Sequence, residues 1–212
     1  MLPHQFTIIG PQGSGKGTQA KALAQLFAVP HISTGDLFRD HVARRTELGL
    51  KADQLLRQGT LMPDDITNAL VSERLGQPDA QAGFVLDGYP RNLAQAEFLQ
   101  ALASQTQAIL LELSDDQAVE RIARRLTCQA CGAVYHLDFR KPRVNGVCDE
   151  CGGKLDQRTD DTETAVRERL TIYHRETEPL VMFYQAHKQL MRVDGTPPIE
   201  EVIAAIRRAL GL

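Results

Sequence analysis

Two hydrophobic periods organise this chain. Phe6-Thr7-Ile8-Ile9 is a short β-rich run that stops at Gly10-Pro11. From Gly15 the period lengthens: Ala20, Leu23, Ala24 and Phe27 recur at i, i+3, i+4 and i+7, which is one face of a helix. The opening therefore predicts strand, glycine loop, helix. Apolar runs predict further buried strands at Phe84-Val85-Leu86, Ala108–Leu113 and Leu190–Val193, with a shorter one at His31-Ile32. Helices are predicted over 36–57, 64–75, 92–103, 115–126, 162–187 and 199–210. Pro63 ahead of Asp64 and Asp65 reads as a helix start, because Pro suits the first turn and acids suit its positive end. Ser114-Asp115-Asp116 reads the same way. Strands separated by helices predict an α/β fold with a mostly parallel sheet.

The stretch 128–158 has no helical period and holds Gly132, Pro142, Gly146, Gly152 and Gly153. Only Val134-Tyr135-His136 reads as a strand. It is expected to be a small inserted subdomain, supported by helices 115–126 and 162–187. No internal repeat is visible.

Composition narrows the class. At 212 residues with 42% hydrophobic and 24% charged positions, the chain suits one large domain with insertions and is not disordered. The net charge of −3 argues against life on a nucleic-acid backbone. No apolar run reaches the roughly 18–20 residues of a membrane span. The glycine loop begins at Gly10, so no removable leader is expected, and the protein is expected in the cytoplasm. All 4 Cys fall between Cys128 and Cys151, which in that compartment reads as metal ligation rather than disulfides.

The candidate chemistry starts at Gly10-Pro11-Gln12-Gly13-Ser14-Gly15-Lys16-Gly17-Thr18. It matches G-x-x-x-x-G-K, except that Gly17 intervenes before the hydroxyl residue. Glycines let backbone N–H groups converge on phosphate oxygens at a helix N-terminus, and Lys16 adds charge for the β- and γ-phosphates. This predicts a nucleoside triphosphate site but does not name the acceptor. Asp87 ends its strand where a Mg²⁺-associated acid belongs, although Asp-Gly is also a common turn pair.

Eighteen of the 24 basic residues are Arg. A guanidinium grips phosphate at two points and stays protonated. Arg121 and Arg125, four apart, are expected on one helix face. For any single arginine, however, a surface ion pair is an equal reading. Cys128-x₂-Cys131 and Cys148-x₂-Cys151, sixteen residues apart, predict a closed four-thiolate site. Four protein ligands make the metal structural, and zinc is the first expectation. A Cys₄ set also accepts iron.

Taken together, these motifs resemble bacterial adenylate kinases of the long-lid, zinc-containing type, over essentially the whole chain. The resemblance rests on residues 10–18, Ile32-Ser33-Thr34-Gly35-Asp36, Leu86-Asp87-Gly88-Tyr89-Pro90-Arg91, the four cysteines, Asp160-Asp161 and Val193-Asp194-Gly195-Thr196. It implies a P-loop three-layer fold with a five-stranded parallel sheet, a helical monophosphate-binding insertion at 33–62 and a zinc-binding lid at 124–161. The core would be 1–32, 63–123 and 162–212. The reaction implied is Mg·ATP + AMP ⇌ 2 ADP, run by a monomer with no nucleic-acid or membrane partner.

By the same resemblance Gly13, Ser14, Gly15, Lys16, Gly17 and Thr18 hold the ATP phosphates. Arg121, Arg125, Val134, Tyr135 and the backbone of Pro197 complete the ATP site. Thr34, Arg39, Thr60, Leu61, Met62, Gly88, Tyr89, Pro90, Arg91 and Gln95 bind AMP, with Gln95 reading the adenine edge. Arg158 and Arg169 grip phosphates between the nucleotides, and Lys16, Arg91, Arg125, Arg158 and Arg169 are the catalytic set. Removing Arg125 is expected to lower turnover with the fold intact. Two other functions share these motifs: a kinase of UMP, CMP or GMP, and an ATPase whose zinc ribbon binds nucleic acid.

Overall fold

A computed structural model describes residues 4–57, 62–158 and 161–212. Five parallel strands form the main sheet in the order β2-β3-β1-β4-β8. They are β1 (His4–Ile9), β2 (His31–Ser33), β3 (Gly83–Asp87), β4 (Gln107–Glu112) and β8 (Leu190–Asp194). The helices between them are α1 (Lys16–Phe27), α2 (Thr34–Ala43), α3 (Glu47–Arg57), α4 (Asp64–Leu75), α5 (Leu93–Leu102), α6 (Asp115–Ala123), α7 (Glu163–Ile172), α8 (Leu180–Ala186) and α9 (Ile199–Ala209).

Alternation along the strands feeds both faces of the sheet. Phe6 and Ile8, Val85, Ile109 and Leu111 pack against Ala20, Leu23 and Ala24 of α1 and Val202 and Ile206 of α9. On the other face Phe84 and Leu86 meet Val71, Leu75 and Leu99, while Ala108 and Leu110 meet Ala96, Leu180 and Tyr184. The result is the expected three-layer α/β arrangement. Because every strand runs the same way, all the loops that follow their carboxyl ends gather at one edge of the sheet.

Three expected helices are interrupted. Helix 36–57 is two helices, with Arg45 at φ 52° between them. Thr46 Oγ1 accepts from the Gly49 N–H at 3.0 Å and starts α3. Phe38, Val42, Leu48 and Ala52 from both helices enter one cluster, although the step of six from Val42 to Leu48 is not a helical spacing. A Cβ on Gly49 would lie 2.0 Å from the His41 carbonyl oxygen, so glycine is what lets the two helices meet.

Helix 115–126 ends at Ala123. The chain then becomes β5 (Arg125–Cys128), central in a second, antiparallel sheet with β6 (Val134–His136) and β7 (Leu155–Asp156). Arg125 therefore does not share a helix face with Arg121, as its spacing suggested. The helix pattern runs on through Leu126, but pairing on both sides of β5 outweighs four residues of helix propensity. Helix 162–187 is broken by a π turn over Tyr173–Thr177, closed by Glu178 N–H to Tyr173 carbonyl at 2.9 Å. Pro179 follows, and proline has no N–H to continue an α-helical ladder. The starts at Pro63 and Ser114 stand as expected. Ser114 and Gln117 satisfy each other's backbone N–H groups in a capping box, which fixes where α6 begins.

Candidate active site

The loop between β1 and α1 runs into a helix whose N-terminal residue, Gly15, supplies no side-chain cap. The first N–H groups of α1 are left to an external acceptor, the arrangement that binds anions. Gly10 has φ 152°, and a Cβ there would sit 2.5 Å from the Leu111 carbonyl oxygen. The departure from the general motif at Gly17 also has a local reason, because a Cβ there would lie 3.1 Å from Asp87 Oδ2. Ser14 Oγ is buried and has no hydrogen-bond partner among the described residues. Gly13 and Ser14 complete the loop, and Thr18 lies in the first turn of α1.

Lys16 folds back over this loop, donating to the carbonyls of Gly10 at 2.7 Å and Pro11 at 2.8 Å. Burial pulls its ammonium down to about 8, opposed by Asp87 and assisted by Arg91 and Arg125. Burial alone would push the Asp87 carboxyl up. The His31 imidazole at 3.6 Å, Lys16 and Arg91 outweigh that and hold it below the usual carboxylate range.

The turn after β3 is held from several sides. Thr34 Oγ1 donates to the Gly88 carbonyl at 2.9 Å, and Arg91 Nε donates to the same oxygen at 2.7 Å. Thr7 Oγ1 donates to the Tyr89 carbonyl at 2.6 Å. The peptide before Pro90 is cis. Tyr89 is fully buried, its hydroxyl donating to Asn68 Oδ1 at 2.6 Å, so its ring belongs to the core. Arg91 feels the like charges of Arg39 and Arg169, and Arg39 pairs with Asp36 one turn earlier. Met62 is buried beside Phe38 and Leu70. Gln95 is 2% exposed. Its amide accepts from the Arg91 backbone N–H at 2.8 Å and donates to Asp64 Oδ1 at 2.7 Å.

On the opposite side Arg125, at the start of β5, makes a two-point pair with Asp161. The Asp161 side chain is 0% exposed, and Arg169 Nη2 lies 3.5 Å from its Oδ1. Arg158 Nε donates to Thr127 Oγ1 at 3.1 Å. The structure thus brings Lys16, Asp87, Arg91, Arg39, Arg125 and Arg169 within one electrostatic neighbourhood. Arg121 stands apart. It donates to the carbonyls of Gly195 at 2.8 Å and Thr196 at 2.7 Å, just before Pro197, and sits 5.1 Å from the Phe139 ring centroid. The Val134 carbonyl accepts from Arg140 at 2.9 Å, and the Tyr135 ring is buried in the small sheet. Thr60 and Leu61 lie outside the described residues, as does Asp160.

The four thiols converge. Cys128 and Cys151 sulfurs are 3.4 Å apart, Cys131 and Cys148 are 3.6 Å apart, and all four lie within 4.8 Å of one another. A Zn–S bond of about 2.3 Å makes the edges of a ZnS₄ tetrahedron about 3.8 Å, so the donor set fits one ion. Gly132 and Gly152 N–H groups return to the Cys128 and Cys148 carbonyls at 3.0 and 2.9 Å, which closes each C-x₂-C turn.

A model of the family described as adenylate kinase matches residues 8–189. The chain belongs to the adenylate kinase family. It is similar to the adenylate kinase of Thermosipho melanesiensis, 45% identical over 206 residues that cover 95% of this chain and 96% of that protein. It is 46% identical to that of Moorella thermoacetica over 212 residues, 98% of each chain. It is 43% identical to one from Clostridium perfringens over 215 residues, 99% of each. As a member of the adenylate kinase family it is a nucleoside monophosphate kinase. Among the described residues no helix is long and apolar enough to cross a membrane.

Proposed function

We propose that this chain transfers the terminal phosphoryl group of Mg·ATP reversibly to AMP, giving two ADP. The observation that carries this reading is the open N-terminus of α1, with Lys16 folded over its loop and Asp87 Oδ2 against Gly17. Arg91 and Arg125 come from separate elements, and their charge is felt at Lys16. The accepting oxygen of AMP is already anionic, so no general base is needed. Catalysis is then in-line positioning plus neutralisation of the charge spread over the transferring group.

Lys16 and the N–H groups of residues 13–18 hold the ATP phosphates. Arg39, Arg91 and Thr34 hold the AMP phosphate from the 33–62 insertion and the β3 turn. Arg125, Arg158 and Arg169 close on the group in transit. Mg²⁺ bound with ATP supplies further charge neutralisation, and Asp87 is the residue to hold its water shell. The 124–161 segment, braced by zinc on four thiolates, closes to exclude water that would otherwise hydrolyse ATP. On this reading the enzyme is a cytoplasmic monomer.

A coupled assay with ATP and each of AMP, UMP, CMP and GMP tests the proposal. AMP is expected to exceed the others at least tenfold in kcat/KM. Preference for another monophosphate overturns the choice of acceptor. ATP hydrolysis without any acceptor, together with salt-sensitive nucleic-acid binding, overturns the reaction itself.

Lys16 gives a pH prediction. Below about 8 its ammonium is charged and can hold phosphate; above that value the free enzyme loses the charge. The kcat/KM for ATP is therefore expected to fall about tenfold per pH unit beyond that point, because this parameter reports the free enzyme. The kcat limb lies higher, since bound phosphate favours the charged form. Asp87→Asn removes the opposing charge and is expected to move the kcat/KM limb to lower pH. A limb near the ordinary lysine value in both proteins would refute the assignment.

A further inference from the structure

The Gln95 amide is gripped by two chemically one-sided partners. A carboxylate only accepts, so Asp64 Oδ1 at 2.7 Å demands the NH₂ end. A backbone N–H only donates, so Arg91 N–H at 2.8 Å demands the oxygen end. Rotating the amide by half a turn would set its oxygen against a carboxylate and its NH₂ against an N–H. Asp64 is itself fixed, accepting from Asn92 Nδ2 at 2.9 and 3.1 Å on its two oxygens. Asn92 Oδ1 in turn accepts the Gln95 backbone N–H at 2.9 Å, and the Tyr89 hydroxyl reaches the Gln95 carbonyl at 3.3 Å. Backbone and side chain are both held, and the residue is 2% exposed.

An amide offers two N–H donors and two acceptor lone pairs. Asp64 and Arg91 use one of each, which leaves one donor and one acceptor side by side in a fixed order. A 6-aminopurine presents a donor at its exocyclic nitrogen beside an acceptor at N1. A 6-oxopurine presents the reverse order. A glutamine free to flip would serve both bases equally.

We propose that Asp64 is a specificity-positioning residue, which locks the Gln95 amide in the single orientation that pairs with a 6-aminopurine monophosphate and opposes a 6-oxopurine one. This rests on the reading that AMP is the acceptor and that Gln95 faces its base. Asp64 touches no reacting atom; it acts through Gln95.

The test is steady-state kinetics at fixed ATP with AMP, GMP and IMP, on wild type and Asp64→Asn. Asparagine can offer either end of its own amide, so the lock loosens. The AMP-to-GMP ratio of kcat/KM is expected to fall at least tenfold. The change should lie in KM, with AMP weakened and GMP improved, and kcat for AMP should stay within about twofold. Asp64→Glu, still accept-only, is expected to keep most of the ratio. If the asparagine variant folds poorly, Asp64→Ser supplies a hydroxyl equally able to donate and accept, and the same relaxation is expected. A purely structural role would lower AMP and GMP use by one common factor. An unchanged ratio in a folded variant therefore overturns the proposal. A wild-type enzyme that does not prefer AMP overturns the proposed reaction instead, so the two failures are distinguishable.

Discussion

Arg125→Ala is expected to lower kcat by about three orders of magnitude, the usual effect of removing an arginine that stabilises a transferring phosphoryl group. Sequence alone predicts that the fold survives this change. The buried Asp161 alters that expectation. Its carboxylate is 0% exposed, with Arg125 as a two-point partner and Arg169 3.5 Å away. Removing one side of such a pair leaves a buried charge under-compensated and costs about 3 kcal/mol, or about 6–12 °C of melting temperature in a chain this size. Two further variants separate the effects. Arg125→Ala with Asp161→Asn should recover most of the stability and none of the turnover. Arg125→Lys should keep the charge, lose the two-point grip and fall between. Turnover and urea melts at low temperature measure both quantities. Near-normal kcat in the alanine variant would remove Arg125 from the catalytic set.

Cys128→Ser is expected to lower the melting temperature by about 10 °C or more, on the scale of losing several kcal/mol from a chain of this length. It should also release one metal ion per chain and open residues 124–161 to proteolysis. The reason lies in the small sheet's own core. It consists of Cys128, Ala133, Tyr135, Cys148 and Leu155 with Leu126 against them, too little apolar surface to order some forty residues without a staple. Two of those core residues belong to the four-thiol cluster. The Tyr135 hydroxyl, which accepts from the Asp149 N–H at 2.8 Å and lies 3.6 Å from Cys148 Sγ, depends on the same cluster. At low temperature, where the segment still folds, Arg125 at the start of the same strand keeps its place, so kcat is expected to stay within a few-fold of wild type. Lost activity with unchanged stability would contradict a structural metal. Elemental analysis decides between zinc and iron.

Local signals announced most of what positions this site. The three inner strands β1, β3 and β4 were legible because each is a short apolar run buried on both faces, while the edge strands β2 and β8 carry weaker apolar runs and are only partly buried. The phosphate loop and the cysteines were legible because backbone geometry and tetrahedral coordination each demand fixed spacings. The interruptions were not. The break at Arg45 is marked along the chain only by the six-residue step from Val42 to Leu48, and the contact between the two helices at Gly49 that goes with it is not visible there. The strand at 125–128 exists only because β6 and β7 pair with it. At the site, Asp64 read simply as a helix-start acid after Pro63, and nothing local says that it holds Gln95. Asp161 read as part of a motif, without the burial that makes it the partner of Arg125. These roles come from distances between residues far apart in sequence, 31 positions for Gln95 with Asp64 and 36 for Arg125 with Asp161, and no window along the chain contains them.

The π turn at Tyr173–Thr177 governs direction. Each α-helical residue advances the chain by about 100°, so one rod presents one stripe. Here a single length of chain serves two clients: Val166 and Leu170 of α7 face Ala118 and Ile122 of α6, while Leu180 and Tyr184 of α8 face the sheet. The wide turn resets the angular phase between those stripes. It also aims Thr177 Oγ1 at the Arg91 carbonyl, 2.8 Å away, and sets His174 between Asp115 and Glu178. Winding this stretch as a regular helix would change the angular phase of α8 relative to α7 and turn its apolar stripe off the sheet. The winding of this stretch is thus as binding as its chemistry, in a way that no single side chain within it reveals.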